Sequence, residues 1–184
     1  DHIVNAGQGG QHPGPLTLGD NGALFTFEGK TFVFTNGHFD LLHVGHVDYL
    51  QRARELGDVL IVGLNSDAST RALKGEKRPI VPQDERARML AALACVDYVV
   101  IFEETTANRL VEALKPDLYI KGGDWGEGRT PPEVEVVASY GGQVFILPYL
   151  PEHSTTGLIE TIVERFGSGR MENEGADRQG GHGN

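Results

Sequence analysis

The chain has 184 residues, 39% of them hydrophobic, enough for one domain with a real core and too few for two large ones. Sixteen basic residues against 26 acidic ones give a formal charge of −10, which argues against nucleic acid or an anionic membrane as the main partner. A lone cysteine, Cys95, rules out a disulfide framework and a cysteine-built metal site. With no membrane-length apolar run and no signal-peptide pattern, the default location is the cytoplasm.

In chain order, residues 1–23 are rich in Gly, Gln, Asn and Pro and read as a disordered lead-in, and residues 168–184 read as a disordered tail. The histidines there (His2, His12 and His182) are assigned no chemistry. The folded domain is expected over residues 24–167. Residues 31–35 form a short apolar run that predicts a buried strand, and Asn36-Gly37 is expected to break it. His43, Gly45 and His46 follow, and the polar stripe of Asp48, Gln51, Arg52 and Glu55 predicts a helix. Two imidazoles and a glycine therefore sit where a strand hands over to a helix N-terminus, a natural phosphate site.

Residues 59–64 are continuously apolar, as in a central parallel strand. Asn65-Ser66-Asp67 ends that strand, and a short helix is predicted over 68–73. Residues 74–82 read as a loop carrying Lys74, Lys77, Arg78 and two prolines, and 84–94 as a helix. A third strand is predicted over 96–102. A helix carries Ala107, Leu110, Val111 and Leu114 and stops at Pro116. A fourth strand covers 118–120, a glycine-rich loop 122–132, and a helix runs to about residue 140. A fifth strand, 143–147, precedes a last helix faced by Leu158, Ile159, Ile162, Val163 and Phe166. This alternation predicts an α/β fold: a Rossmann-like open parallel five-stranded sheet with helices on both faces. Ligands bind such sheets beyond the carboxyl ends of the strands, near the point where strand order reverses. Neither the dinucleotide G-x-G-x-x-G nor the G-x-x-x-x-G-K-[ST] loop is present.

Several loop residues have two readings. Lys74, Lys77 and Arg78 are either a solvated face or a triphosphate clamp; Pro79 and Pro82 restrict the loop and favour the clamp. Arg86, on the next helix, is the better phosphate candidate of Arg86 and Arg88 because it lies nearer the loop. In Lys121-Gly122-Gly123-Asp124 the glycines either make a plain turn or let the backbone approach a ligand, with Asp124 accepting from a base or sugar. Ser154, Thr155 and Thr156 either cap the last helix or add hydroxyls to a second anion site. Two helix N-termini, two histidines and a lysine loop around one polyphosphate would suit nucleotidyl transfer, which needs alignment and charge stabilisation more than a protein nucleophile.

Together these segments resemble the heptose-1-phosphate adenylyltransferases, within the nucleotidyltransferase superfamily that carries an H-x-G-H signature. The matching pieces are Asn36-Gly37-x-Phe39-Asp40-Leu-Leu-His43-x-Gly45-His46, Leu64-Asn65-Ser66-Asp67-Ala68-Ser69, Leu73-Lys74-Gly75 with Arg78-Pro79, Val96-Asp97, Lys121-Gly122-Gly123-Asp124 and Ser154-Thr155-Thr156. The resemblance implies transfer of AMP from ATP to D-glycero-D-manno-heptose 1-phosphate with Mg²⁺ assisting, giving ADP-heptose and pyrophosphate in a lipopolysaccharide-type pathway. It implies His43, His46 and Lys74 as catalytic groups. It also implies nucleotide contacts from Asn36, Gly37, Phe39, Asp40, Gly45, Asn65, Asp67, Arg78, Arg86, Lys121, Gly122, Asp124, Ser154, Thr155 and Thr156. No kinase segment precedes residue 24, so a separate heptose kinase is expected, and a homodimer is left open.

The runner-up within the superfamily is a cytidylyltransferase of the glycerol-3-phosphate type. Those enzymes carry Arg-Thr-Glu-Gly-Ile before Ser-Thr-Thr, whereas this chain has Tyr149-Leu-Pro-Glu-His153. A catalytically silent nucleotide-binding module is the alternative from another class. His38 stands where relatives carry cysteine or another uncharged residue. Its readings are a neutral imidazole packed behind the loop, an imidazolium favoured by bound ATP, and, ranked lowest, a metal ligand with His43 and His46.

Overall fold

The computed structural model describes residues 3–5, 29–123, 125 and 128–167. It contains β1 (Ile3–Asn5), β2 (Phe32–Gly37), α1 (Val44–Arg54), β3 (Val59–Asn65), α2 (Asp67–Lys74), α3 (Gln83–Ala91), β4 (Tyr98–Phe102), α4 (Asn108–Leu114), β5 (Leu118–Gly122), α5 (Val134–Ser139), β6 (Gln143–Leu147) and α6 (Thr155–Phe166). The sheet order is β1-β4-β3-β2-β5-β6. β2 to β6 are the five expected parallel strands.

Two expectations change. Asn36 and Gly37 do not break β2; they are its last two residues, paired with Gly63 and Leu64. The parallel neighbour β3 runs on to Asn65, so the ladder continues past the local turn signal. The sheet also has a sixth strand inside the lead-in: Ile3–Asn5 pairs antiparallel with Tyr98, Val99 and Val100 of β4. A sheet edge offers unpaired N–H and C=O groups that three otherwise featureless residues can satisfy. The remainder of the lead-in and the tail from 168 lie outside the described residues.

The core has two halves. On one face Leu50 and Ala53 of α1 and Ala87 and Leu90 of α3 pack on Val33, Leu60, Val62 and Val99. On the other, Val111 and Leu114 of α4 and Val137 of α5 pack on Phe32, Phe34, Ile61 and Tyr119. β2 and β5 are neighbours, but the helix after β2 lies on the first face and the helices before and after β5 on the second. Their loops part at the carboxyl edge and leave a crevice between them. Among the described residues no helix is long and apolar enough to cross a membrane.

Candidate active site

A cavity of about 670 Å³ opens at this edge. Its wall takes residues from the loops after β2, β3, β4 and β5 and from the segment leading into α6.

The loop after β2 is tightly held. Phe39 and Leu41 have φ of 47° and 52°, costly for residues with a side chain. Asp40, 1% exposed, fixes the turn: its carboxylate accepts from the N–H groups of Ile80 and Val81 at 2.9 and 3.0 Å and from Arg78 Nε at 2.7 Å. Burial raises its pKa, but the Ile80 and Val81 N–H groups and the Arg78 guanidinium outweigh that and hold it below the usual value. The basic loop is thereby tied to the histidine loop. The Thr155 hydroxyl donates to Asp40 O at 2.7 Å and ties on the start of α6 as well.

His43 is the N-cap of α1. Its Nδ1 accepts the Gly45 N–H at 3.1 Å, and the His43 N–H donates to His46 Nδ1 at 3.4 Å. A backbone N–H can only donate, so both Nδ1 atoms are acceptors and both neutral rings carry their proton on Nε2. The rings stack with centroids 3.9 Å apart. Burial, reinforced by His43, pushes His46 down to about 4; burial and then His153 lower His43. The α1 N-terminus thus presents two neutral Nε2–H donors. Gly45 leaves room for the packed imidazoles, because a Cβ would come within 2.9 Å of His153 Cβ and 3.0 Å of the His43 ring.

Opposite them, Asn36 Oδ1 accepts from Tyr119 Oη at 2.7 Å and from Lys121 Nζ at 2.9 Å. Burial lowers the Lys121 pKa, with Glu133 acting against it. His38 Nδ1 lies 3.1 Å from Thr70 Oγ1, and its pKa falls to about 4 through burial and then Lys74, Arg86, Arg78 and Lys121. That set of cations shows the Lys74–Arg78 loop and the end of β5 converging around His38, an environment that keeps its imidazole neutral. Among the described residues no group of three or more His, Cys, Asp or Glu is arranged to hold a metal ion.

The cytidylyltransferase-like family model matches residues 34–158. The chain belongs to the cytidylyltransferase-like family. It is a nucleotidyltransferase. Bifunctional protein HldE of Syntrophotalea carbinolica is 55% identical over 144 residues, covering 77% of this chain and 29% of that protein. Bifunctional protein HldE of Helicobacter pylori is 49% identical over 152 residues, covering 82% of this chain and 31% of that protein. The chain therefore spans less than a third of the length of these relatives. The crystal structure of a lipopolysaccharide core biosynthesis protein from Thermoplasma volcanium is 30% identical with a TM-score of 0.53, covering 66% of this chain and 98% of that one.

In this cytidylyltransferase-like chain the fold brings most of the expected residues to one cavity. Asn36, Gly37, Phe39, Asp40, His43, Gly45, His46, Asn65, Lys74, Arg78, Lys121, Gly122, Ser154, Thr155 and Thr156 all line it. Asp124 lies outside the described residues.

Arg86 and Asp67 are corrected: neither lines the cavity. Arg86 is 1% exposed, and its guanidinium donates to Val81 O, His38 O, Asn65 O and Asp67 Oδ1 at 2.6–2.9 Å. Those bonds tie the segments around residues 38, 65–67 and 81 together and leave it buried outside the cavity wall, with Asp67 as its counter-charge. Asp40 and Thr155 line the cavity, but their polar groups are taken up in joining its loops. Ser154 accepts the Gly157 N–H at 3.0 Å and so caps α6.

His38, Tyr49, Leu73 and Pro132 also line the wall, as do Thr105, Thr106, Trp125, Glu133, Tyr149 and His153, polar or aromatic groups to which the sequence reading gave no role in the site. Trp125 lies in the 122–132 segment that reads only as a glycine-rich loop. Glu133 carried no signal, because its place in the site depends on α4 and α5 meeting. Tyr149 shows only through the glycines it covers: a Cβ on Gly122 or Gly123 would overlap its ring.

Proposed function

We propose that this chain transfers AMP from ATP to D-glycero-D-manno-heptose 1-phosphate, giving ADP-heptose and pyrophosphate. The observation that carries nucleotidyl transfer is the pair of fixed Nε2–H donors on His43 and His46 at the start of α1. The heptose acceptor is supported by the motif set from Asn36 to Thr156 and by the extent of identity to the HldE proteins.

In this reading a phosphate oxygen of the sugar phosphate forms a bond to the α-phosphorus of ATP. The bond from that phosphorus to the bridging oxygen breaks, and pyrophosphate leaves with the electron pair. His43 and His46 donate to the oxygens that gain charge, without desolvating a cation to do so. Lys74 and the outer edge of Arg78 face the β- and γ-phosphates. Lys121 and the start of α6 at Ser154 and Thr156 complete the anion-facing surface. Mg²⁺ would neutralise charge on the triphosphate. It fits as a partner of phosphate oxygens, since the oxygens of Asp40 are already taken by three donors.

The acceptor has to be supplied by a sugar kinase reaction, on this polypeptide or another, and the cytoplasm is the compartment proposed for both steps. A homodimer is supported by α6, which buries none of its residues and leaves Leu158, Ile162, Val163 and Phe166 40–72% exposed.

Pyrophosphate release tests the function, with ATP or CTP crossed against heptose 1-phosphates and glycerol 3-phosphate. ATP with heptose 1-phosphate should be the fastest pair. Faster turnover of CTP with glycerol 3-phosphate would replace this reading with the cytidylyl one.

A further inference from the structure

The cavity crosses the carboxyl edge of the sheet from one face to the other. His43 and His46 enter from the side of α1, while α4 and α5 pack on the opposite face. At that far end the wall is Thr105, Thr106, Trp125 and Glu133. Glu133 is 1% exposed. Its Oε1 accepts the Ala107 N–H at 2.9 Å and ties the loop after β4 to the start of α5. Its Oε2 is buried and accepts no hydrogen bond within 3.5 Å among the described residues: Tyr119 and Lys121 lie close enough to feel its charge, but the Tyr119 hydroxyl and the Lys121 ammonium are both bonded to Asn36 Oδ1. Native proteins rarely leave such an oxygen unanswered, and a ligand that completes it is one physical reason to keep it. Lys121 stands between the two ends, its Nζ 5.8 Å from the Tyr119 ring centroid and 5.9 Å from that of Trp125.

A carboxylate, two hydroxyls and an aromatic face around one pocket suit a polyhydroxylated ligand. The carboxylate accepts O–H, the threonines give or accept, and the ring covers the C–H side of a sugar. We propose that Glu133 Oε2 accepts a hydrogen bond from a hydroxyl of the acceptor sugar, and that this end of the cavity is the acceptor subsite. The inference rests on the adenylyltransferase reading and deepens it: the nucleotide phosphates take the histidine end and the sugar takes the Glu133 end.

Glu133→Gln is the direct test, because it keeps the shape and the Oε1 acceptor for Ala107 while turning the second oxygen into a donor. With ATP and D-glycero-D-manno-heptose 1-phosphate, the acceptor KM should rise about tenfold or more, as for one lost hydrogen bond to a charged group, with the ATP KM within about twofold of wild type. Trp125 is the only tryptophan of the chain, so its fluorescence reads acceptor binding without turnover. Heptose 1-phosphate alone should change it saturably, with the midpoint shifted upward in Glu133→Gln by the same factor. Thr106→Val should move the acceptor KM in the same direction by severalfold, and it decides the matter if the Gln variant does not fold. An ATP KM that rises as much as the acceptor KM, or an acceptor KM unchanged in both variants, would overturn the subsite. If the wild type shows saturable fluorescence but no ATP-dependent pyrophosphate release, the adenylyltransferase reading is what has failed; if it shows turnover but no shift in either variant, the subsite has failed.

Discussion

The imidazoles of His43 and His46 stack with centroids 3.9 Å apart and planes 26° from parallel, and the backbone N–H of His43 is bonded to His46 Nδ1. One contact therefore does two things. It fixes the His46 tautomer with the proton on Nε2 and forms the reciprocal half of the α1 capping box, whose other half, Gly45 N–H on His43 Nδ1, does the same for His43. Helix capping and phosphate activation are usually given to different residues; here one pair serves both.

Substitutions at His46 can separate the two roles. In His46→Asn the shorter side chain can still accept the His43 N–H but has no group at the Nε2 position. His46→Ala loses both. Each should lower kcat by about 10²–10³, the usual loss for one transition-state donor, with a smaller change in the ATP KM. Only His46→Ala should also lose some stability, on the order of 1 kcal/mol as for one net hydrogen bond, through the missing N3 half of the capping box. Calorimetry beside steady-state kinetics checks this. A folded His46→Asn enzyme with near-normal kcat would remove the donor from the mechanism.

His38 and His46 both have pKa values pushed down to about 4 from 6.5 by burial. Between those values the unfolded chain binds protons that the folded chain excludes, so stability is intact above pH 6.5 and falls as pH drops towards 4. His38→Cys should retain most of kcat and flatten this acid loss, measured as urea midpoints at pH 5 and pH 7.5. The pH dependence of ATP affinity should match wild type, since a neutral His38 contributes no charge there. A flatter ATP profile in the variant would restore the imidazolium reading.

Lys74 and Arg86 began as similar phosphate candidates and should fail differently. Lys74 is exposed and lines the cavity, so Lys74→Ala should raise the ATP KM about tenfold, on the scale of a hydrogen bond to a charged group, with an unchanged melting temperature. Arg86→Ala strands Asp67 and three loop carbonyls, and should cost about 3–5 kcal/mol of stability. Thermal melts of both variants decide. A Lys74→Ala enzyme with normal ATP use would leave the basic loop as a solvated face.

Gly45→Ala tests how closely the imidazoles are packed. The added methyl would press on His153 Cβ and the His43 ring at about 3 Å. The side chains have to give by a few tenths of an ångström, short of the roughly 1 Å misplacement that costs on the order of 10²-fold in rate, so a smaller loss is expected. kcat should fall accordingly, with far less effect on folding. An unchanged kcat would show that His43 has room to move.

The sequence by itself determined the alternating strands and helices, because an apolar run and a 3.6-residue stripe are each read within a dozen neighbours. It also placed His43, Gly45 and His46 at a strand-to-helix junction, because loop position follows from the elements on either side; Lys74 and Lys121, expected in loops, turned out to end α2 and to lie within β5. What it left open was which polar groups remain free to meet a ligand. Arg86 looked available until the fold set it against His38 O, 48 residues away, and Glu133 looked ordinary until α4 met α5. β1 and the two-ended cavity have the same origin. A hydrogen-bonding group is taken or left free by partners distant in sequence, and only the packed chain settles where those partners lie.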